Sequence, residues 1–88
     1  MKEKLIECLS MAVENSTTVM MDFTFGNNSQ NGMSISVVPD HCEDGIDEII
    51  ISSGSNVFEI SLNGTITYDG DLDCYVIENE NYVIELTA

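Results

Sequence analysis

Arginine is absent from this sequence, and lysine occurs only twice, at Lys2 and Lys4. From Leu5 to Ala88 the one side chain that can become cationic is His41. Against these stand 16 Asp and Glu, for a formal net charge of −14. Almost none of these carboxylates has an intramolecular salt-bridge partner available. Self-repulsion of this kind costs stability, and costs more as salt is removed, because the screening length grows from about 8 Å to tens of Å. Binding to nucleic acid needs cations on the phosphates, and anionic lipid surfaces repel a chain of this sign. The expectation is therefore no direct nucleic-acid contact and no membrane contact.

Other absences narrow the chemistry. The three cysteines, Cys8, Cys42 and Cys74, are odd in number and far apart, with no CxxC pair and no Cys/His ligand spacing. That pattern suggests reduced thiols and a cytoplasmic protein, in the host-cell cytoplasm if it is phage-encoded. No apolar run approaches membrane length, and Glu7 and Glu14 interrupt what would be the apolar region of a secretory signal. There is no Gly-rich phosphate loop, GxSxG or HExxH. His41 and Cys42 are adjacent, but nucleophile and base in such pairs come from distant parts of a chain. The chain reads as a non-enzyme without a cofactor.

What the chain does contain is enough apolar residue to fold. Its 43% apolar content is too high for a disordered acidic tail, and 88 residues suit one domain, 1–88. Residues 2–15 read as an amphipathic helix, with Leu5, Cys8, Leu9, Ala12 and Val13 on one stripe and Glu3, Glu7, Ser10 and Glu14 opposite. Lysines at its start and Glu14 at its end oppose the helix dipole, so this helix depends on docking its stripe. Asn15-Ser16 ends it.

From Thr17 to about residue 87 the period changes to two. Val19, Met21, Phe23 and Phe25 alternate with Met20, Asp22 and Thr24, and Met33, Ile35 and Val37 alternate with Ser34 and Ser36 after a polar loop at 26–32. These two strands form a hairpin. Pro39 to Gly45 reads as a loop. Further strands are expected at 47–52, 57–62, 65–68, 72–78 and 82–86. Asn63-Gly64 is the strongest hairpin signal, and a three-residue loop with Gly64 left-handed pairs Ile60 with Ile66 and Phe58 with Tyr68. No helix separates the strands, so the sheet should be antiparallel. The predicted class is α+β: one helix packed on a twisted antiparallel meander of six or seven strands.

Three acidic groups stand out: Glu43, Asp44, Asp47 and Glu48; Asp69, Asp71 and Asp73; and Glu78 with Glu80. Asp69-Gly70-Asp71-Leu72-Asp73, with Glu80 eleven residues after Asp69, matches the oxygen spacing of a calcium loop. Cys74, however, stands where that loop needs Gly, and residues 72–77 are apolar. A turn leading into a strand is the plainer reading. On an extended strand, alternate residues share a face about 6.6 Å apart. Asp69, Asp71 and Asp73 in that arrangement would present a row of charges resembling a polyanion.

Such a surface suits a basic partner. The function expected from the sequence is a nucleic-acid mimic or inhibitor that occupies the basic groove of a nuclease or other nucleic-acid-binding protein. Phage-encoded anti-defence proteins and nuclease-toxin immunity proteins share this general composition. The alternatives are a structural or adaptor domain whose acidity serves solubility, and a calcium-binding protein. Homodimerisation is left open, and Tyr68, Tyr75 and Tyr82 suit either an interface or the core.

Overall fold

The computed structural model describes residues 1–26 and 31–88. Helix α1 (Lys2–Asn15) is followed by eight strands: β1 (Val19–Phe25), β2 (Gly32–Val37), β3 (His41–Asp44), β4 (Glu48–Ser53), β5 (Asn56–Ser61), β6 (Gly64–Asp69), β7 (Cys74–Asn79) and β8 (Tyr82–Thr87). The α+β class holds. The single meander does not, because the strands form two antiparallel sheets, of five strands in the order β2-β1-β8-β7-β6 and three in the order β3-β4-β5. Of the polar loop expected at 26–32, residues 27–30 lie outside the described residues.

Packing holds α1, as its charge pattern requires. Its start has no side-chain cap, and its last turn carries no basic residue. Leu5, Leu9 and Ala12 are buried, one turn apart on one face. Burial of each leucine contributes about 1.5–3 kcal/mol. Ser16 ends the helix in the left-handed region at φ 54°, with Thr17 donating its N–H back to the Ala12 carbonyl at 2.9 Å. Lys2 compensates for the uncapped start. Its Nζ meets Asp44 Oδ1 at 2.9 Å and donates to the Gly45 carbonyl at 3.0 Å, which ties α1 to the β3–β4 turn.

The inward-facing side chains of both sheets meet this stripe. Val19 and Met21 of β1, Ile84 and Leu86 of β8, and Ile77 of β7 bury against Ile49 and Ile51 of β4 and Ile60 of β5. Helix α1, lying beside β3, and the three-stranded sheet together cover one face of the five-stranded sheet. The other face is open. At the seam, Ser61 of β5 donates its N–H to the Tyr82 hydroxyl at 3.1 Å, and its carbonyl accepts from the Asn79 amide at 3.0 Å.

The Asn63-Gly64 hairpin is the main correction. β5 pairs with β4 and β6 pairs with β7, so Phe58 faces Ile51 and Tyr68 faces Tyr75, not each other. Residues 62–63 are a corner where the chain passes between sheets, closed by the Gly64 N–H on the Leu62 carbonyl at 2.9 Å. Gly64 is not left-handed. It is glycine because a Cβ there would lie 2.0 Å from the Glu78 carbonyl oxygen, so β6 starts in close contact with β7. A second correction is β3, which lies where a loop was expected.

Among the described residues, no helix is long and apolar enough to cross a membrane.

Candidate functional site: the carboxylate surface

The open face of the five-stranded sheet follows from the register. Because Met21, Phe23, Ile84 and Leu86 point to the core, Asp22 and Glu85 point outward, and they stand directly opposite one another across the β1–β8 ladder. Glu78 of β7 faces Val83, which places it diagonal to Glu85, about 7–8 Å away. Asp69 lies at the end of β6 on the same side. Around these carboxylates the face carries exposed hydroxyls, Ser34 and Ser36 of β2, Thr87 of β8, and Thr65 and Thr67 of β6, and between them lie the apolar side chains of Met20, Val83 and Val76 and the buried Cys74. The Ser34 hydroxyl donates to Asp22. No lysine points to this face.

The outer face of the three-stranded sheet is a second acidic surface. Glu43 of β3 and Glu59 of β5 flank Ile50 of β4, two strand spacings apart, about 9–10 Å. Glu48 begins β4 on the same side, opposite Ser61. Asp44 and Asp47 bracket the β3–β4 turn, with Ile46 at its tip 90% exposed. Glu43, Asp44, Asp47 and Glu48 are thus brought together. Asp44 alone among them has a counter-charge, in the ion pair with Lys2.

Asp69, Asp71 and Asp73 do not form a row. β6 ends at Asp69 and β7 begins at Cys74, with a turn between. Asp69 Oδ1 accepts the N–H groups of Asp71 at 3.0 Å and Leu72 at 3.3 Å, as a turn-forming Asp does. Asp73 has a positive φ of 52° and accepts the Tyr68 hydroxyl. Glu80 lies beyond the far end of β7, about 20 Å of extended chain from Cys74. The calcium-like spacing therefore converges on nothing. Among the described residues, no three His, Cys, Asp or Glu side chains gather to hold a metal ion.

Aspartate and glutamate divide the labour. Asp22, Asp40, Asp44, Asp69 and Asp73 each bond another group of the fold, Asp40 by accepting the Gly54 N–H at 2.7 Å. No glutamate side chain, nor that of Asp47 or Asp71, accepts a hydrogen bond or ion pair from another described residue. Short side chains near the backbone serve turns. The longer glutamates carry charge into solvent. Sequence reading singled out Glu43, Asp44, Asp47, Glu48, Asp69, Asp71, Asp73, Glu78 and Glu80 by their closeness along the chain. It passed over Asp22, Glu59 and Glu85, which only strand pairing brings beside other acids.

Two adjoining hollows, of about 440 and 380 Å³, lie between α1 and the β7–β8 end of the large sheet. Lys4, Cys8, Tyr75 and Ala88 line both. Burial, aided by Asp73, pushes the Cys8 thiol up. Burial, aided by the Glu7 and Asp73 charges, does the same to Tyr75. Both shifts favour the protonated form, which is the weaker nucleophile. His41 and Cys42 are neighbours on β3 whose side chains leave opposite faces, Cys42 toward the core, so they do not form a couple. No family model matches this chain, and no curated protein or solved structure matches it.

Proposed function

We propose that this protein is a non-enzymatic binding protein that occupies the basic groove of a nuclease or other nucleic-acid-binding protein, in the manner of an anti-defence or toxin-immunity inhibitor. The observation that carries this reading is the apposition of Asp22 and Glu85 on an open sheet face. Like charges directly opposite across a ladder destabilise it. An extended β framework holds them there and spreads further carboxylates, unpaired with cations, over both outer sheet faces. A rigid array of anions loses little conformational freedom on docking, which favours binding to a preformed cationic groove. Complementary potentials would also speed the encounter and make it sensitive to salt.

The test uses the whole protein immobilised and exposed to host lysate, with washes at low and high salt. Proteins eluted by salt are assayed for nucleic-acid binding and for competition by this protein. Charge reversal on one face (Glu78→Lys with Glu85→Lys) or the other (Glu43→Lys with Glu59→Lys) should weaken competition. The proposal fails if both double variants compete as well as the natural chain.

A second reading, an adaptor whose acidity serves solubility, is favoured by Ile46, which is 90% exposed at the β3–β4 turn. It calls for a partner retained at high salt and lost with Ile46→Ser.

A further inference from the structure

The two sheets have four edge strands, β2 and β6 in one and β3 and β5 in the other. An edge offers unpaired N–H and C=O groups to any other strand, and proteins usually protect it with charge or cover. β3 is short, carries His41, Glu43 and Asp44, and lies beside α1. β5 carries Glu59, and β6 carries Asp69. Among the described residues β2 has no such protection. From Gly32 to Val38 there is no charged residue, in a chain with 16 carboxylates. Met33 on β2, Val38 just after it and Met20 on the neighbouring strand are each 46–50% exposed.

We propose that β2 is a self-association edge, at which a second copy of this chain pairs antiparallel about a twofold axis to give a continuous ten-stranded sheet. Backbone parity supports this. Phe25 donates its N–H to the Asn31 carbonyl at 2.8 Å. In the same ladder Met33, Ile35 and Val37 therefore turn their backbone groups toward β1, and those of Gly32, Ser34 and Ser36 face away from the sheet. An axis through Ile35 puts Ser34 of one copy opposite Ser36 of the other, their free N–H and C=O groups aligned. On the core-side face it sets Ile35 against Ile35 and Met33 against Val37, apolar against apolar. The interface is isologous, as a twofold requires.

Charge selects the edge. Two bodies of net charge −14 repel, and every other edge brings a carboxylate to the contact. At β2 the nearest open-face carboxylate is Asp22, one strand inward. Across the pair, the two copies of Asp22 stand three strand spacings apart, at least about 14 Å, beyond the screening length of about 8 Å at physiological salt.

Sedimentation equilibrium of the full chain tests this. The mass should approach twice 9.7 kDa, and the dimer should tighten as salt rises from about 10 mM to 1 M, as the screening length falls from about 30 to 3 Å. Ser36→Pro removes an outward N–H that β1 does not use, so it should weaken the dimer at least about tenfold while leaving the circular dichroism unchanged. Should that variant fail to fold, Ser36→Glu, on an exposed side chain, should weaken association through like charge at the axis. A 9.7 kDa species at every salt concentration, or a dimer untouched by a folded substitution at Ser36, overturns the proposal.

Discussion

Asp22 and Glu85 face each other across the β1–β8 ladder, on the uncovered side of the sheet and with no cation beside them. Opposed like charges of this kind cost about 0.2–1 kcal/mol. Glu85→Gln keeps the shape and removes the repulsion. It should raise the urea midpoint at low ionic strength, and the gain should shrink toward zero near 1 M salt, where the screening length is about 3 Å. The natural protein should itself melt at a higher temperature as salt is added, because its net charge of −14 works against compactness. Equal stabilisation by Glu85→Gln at both salt concentrations would mean that the charges are not the cause.

Two glycines separate close approach from backbone strain. At Gly64 a Cβ would meet the Glu78 carbonyl oxygen at 2.0 Å, so Gly64→Ala must push β6 off β7 and should cost about 3 kcal/mol. At Gly54, φ is 61° and nothing lies within 4 Å of a Cβ. Gly54→Ala should cost only the left-handed penalty, about 1 kcal/mol. Chemical denaturation of both variants gives the comparison, and a reversed order would contradict the β6–β7 contact.

Alkali should unfold this protein through its neutral groups. Asp73 accepts the Tyr68 hydroxyl and so pushes the phenol above its usual range, with some burial and the Asp73 charge adding to it. Burial, assisted by Asp44, raises the Cys42 thiol, and burial, assisted by Asp73, raises Cys8. A group whose folded pKa is raised stabilises the fold fully below its unfolded pKa, and that contribution is lost as pH climbs through the folded value. Stability should therefore fall from about pH 8.5 upward, the ordinary thiol value, and further above about pH 10, the ordinary phenol value. Tyr68→Phe should flatten the second part of the decline, as read from the urea midpoint against pH. An unchanged profile would remove Tyr68 from the account.

The helix and most strands were legible because their apolar spacing is regular. Leu5, Leu9 and Ala12 are the buried face of α1, and Tyr82, Ile84 and Leu86 line β8 inwardly as their alternation implies. β3 was not legible, since His-Cys-Glu-Asp has a single apolar member and follows directly on Pro39 and Asp40. The division into two sheets was hidden for another reason. Asn63-Gly64 carries hairpin chemistry, yet its glycine serves a close backbone approach, which depends on a strand that comes later in the chain. Of the site, the acids that cluster along the chain were found and their arrangement was not. Asp69, Asp71 and Asp73 curl around a turn, whereas Asp22 and Glu85, far apart in sequence, are neighbours.

The β1–β8 ladder also fixes when this protein can fold. β1 sits second in its sheet, with Met21 opposite Leu86, so one side of it has no partner until β8 (Tyr82–Thr87) has been made. On a ribosome the helix and the β1–β2 hairpin emerge early, but the sheet that holds them closes only with β8. The five-stranded sheet therefore closes only once β8 has emerged, and the segments before it must stay soluble meanwhile. The charge that keeps unfinished copies apart arrives late as well: residues 1–38 carry four carboxylates against two lysines, and the other twelve carboxylates follow with no lysine or arginine among them.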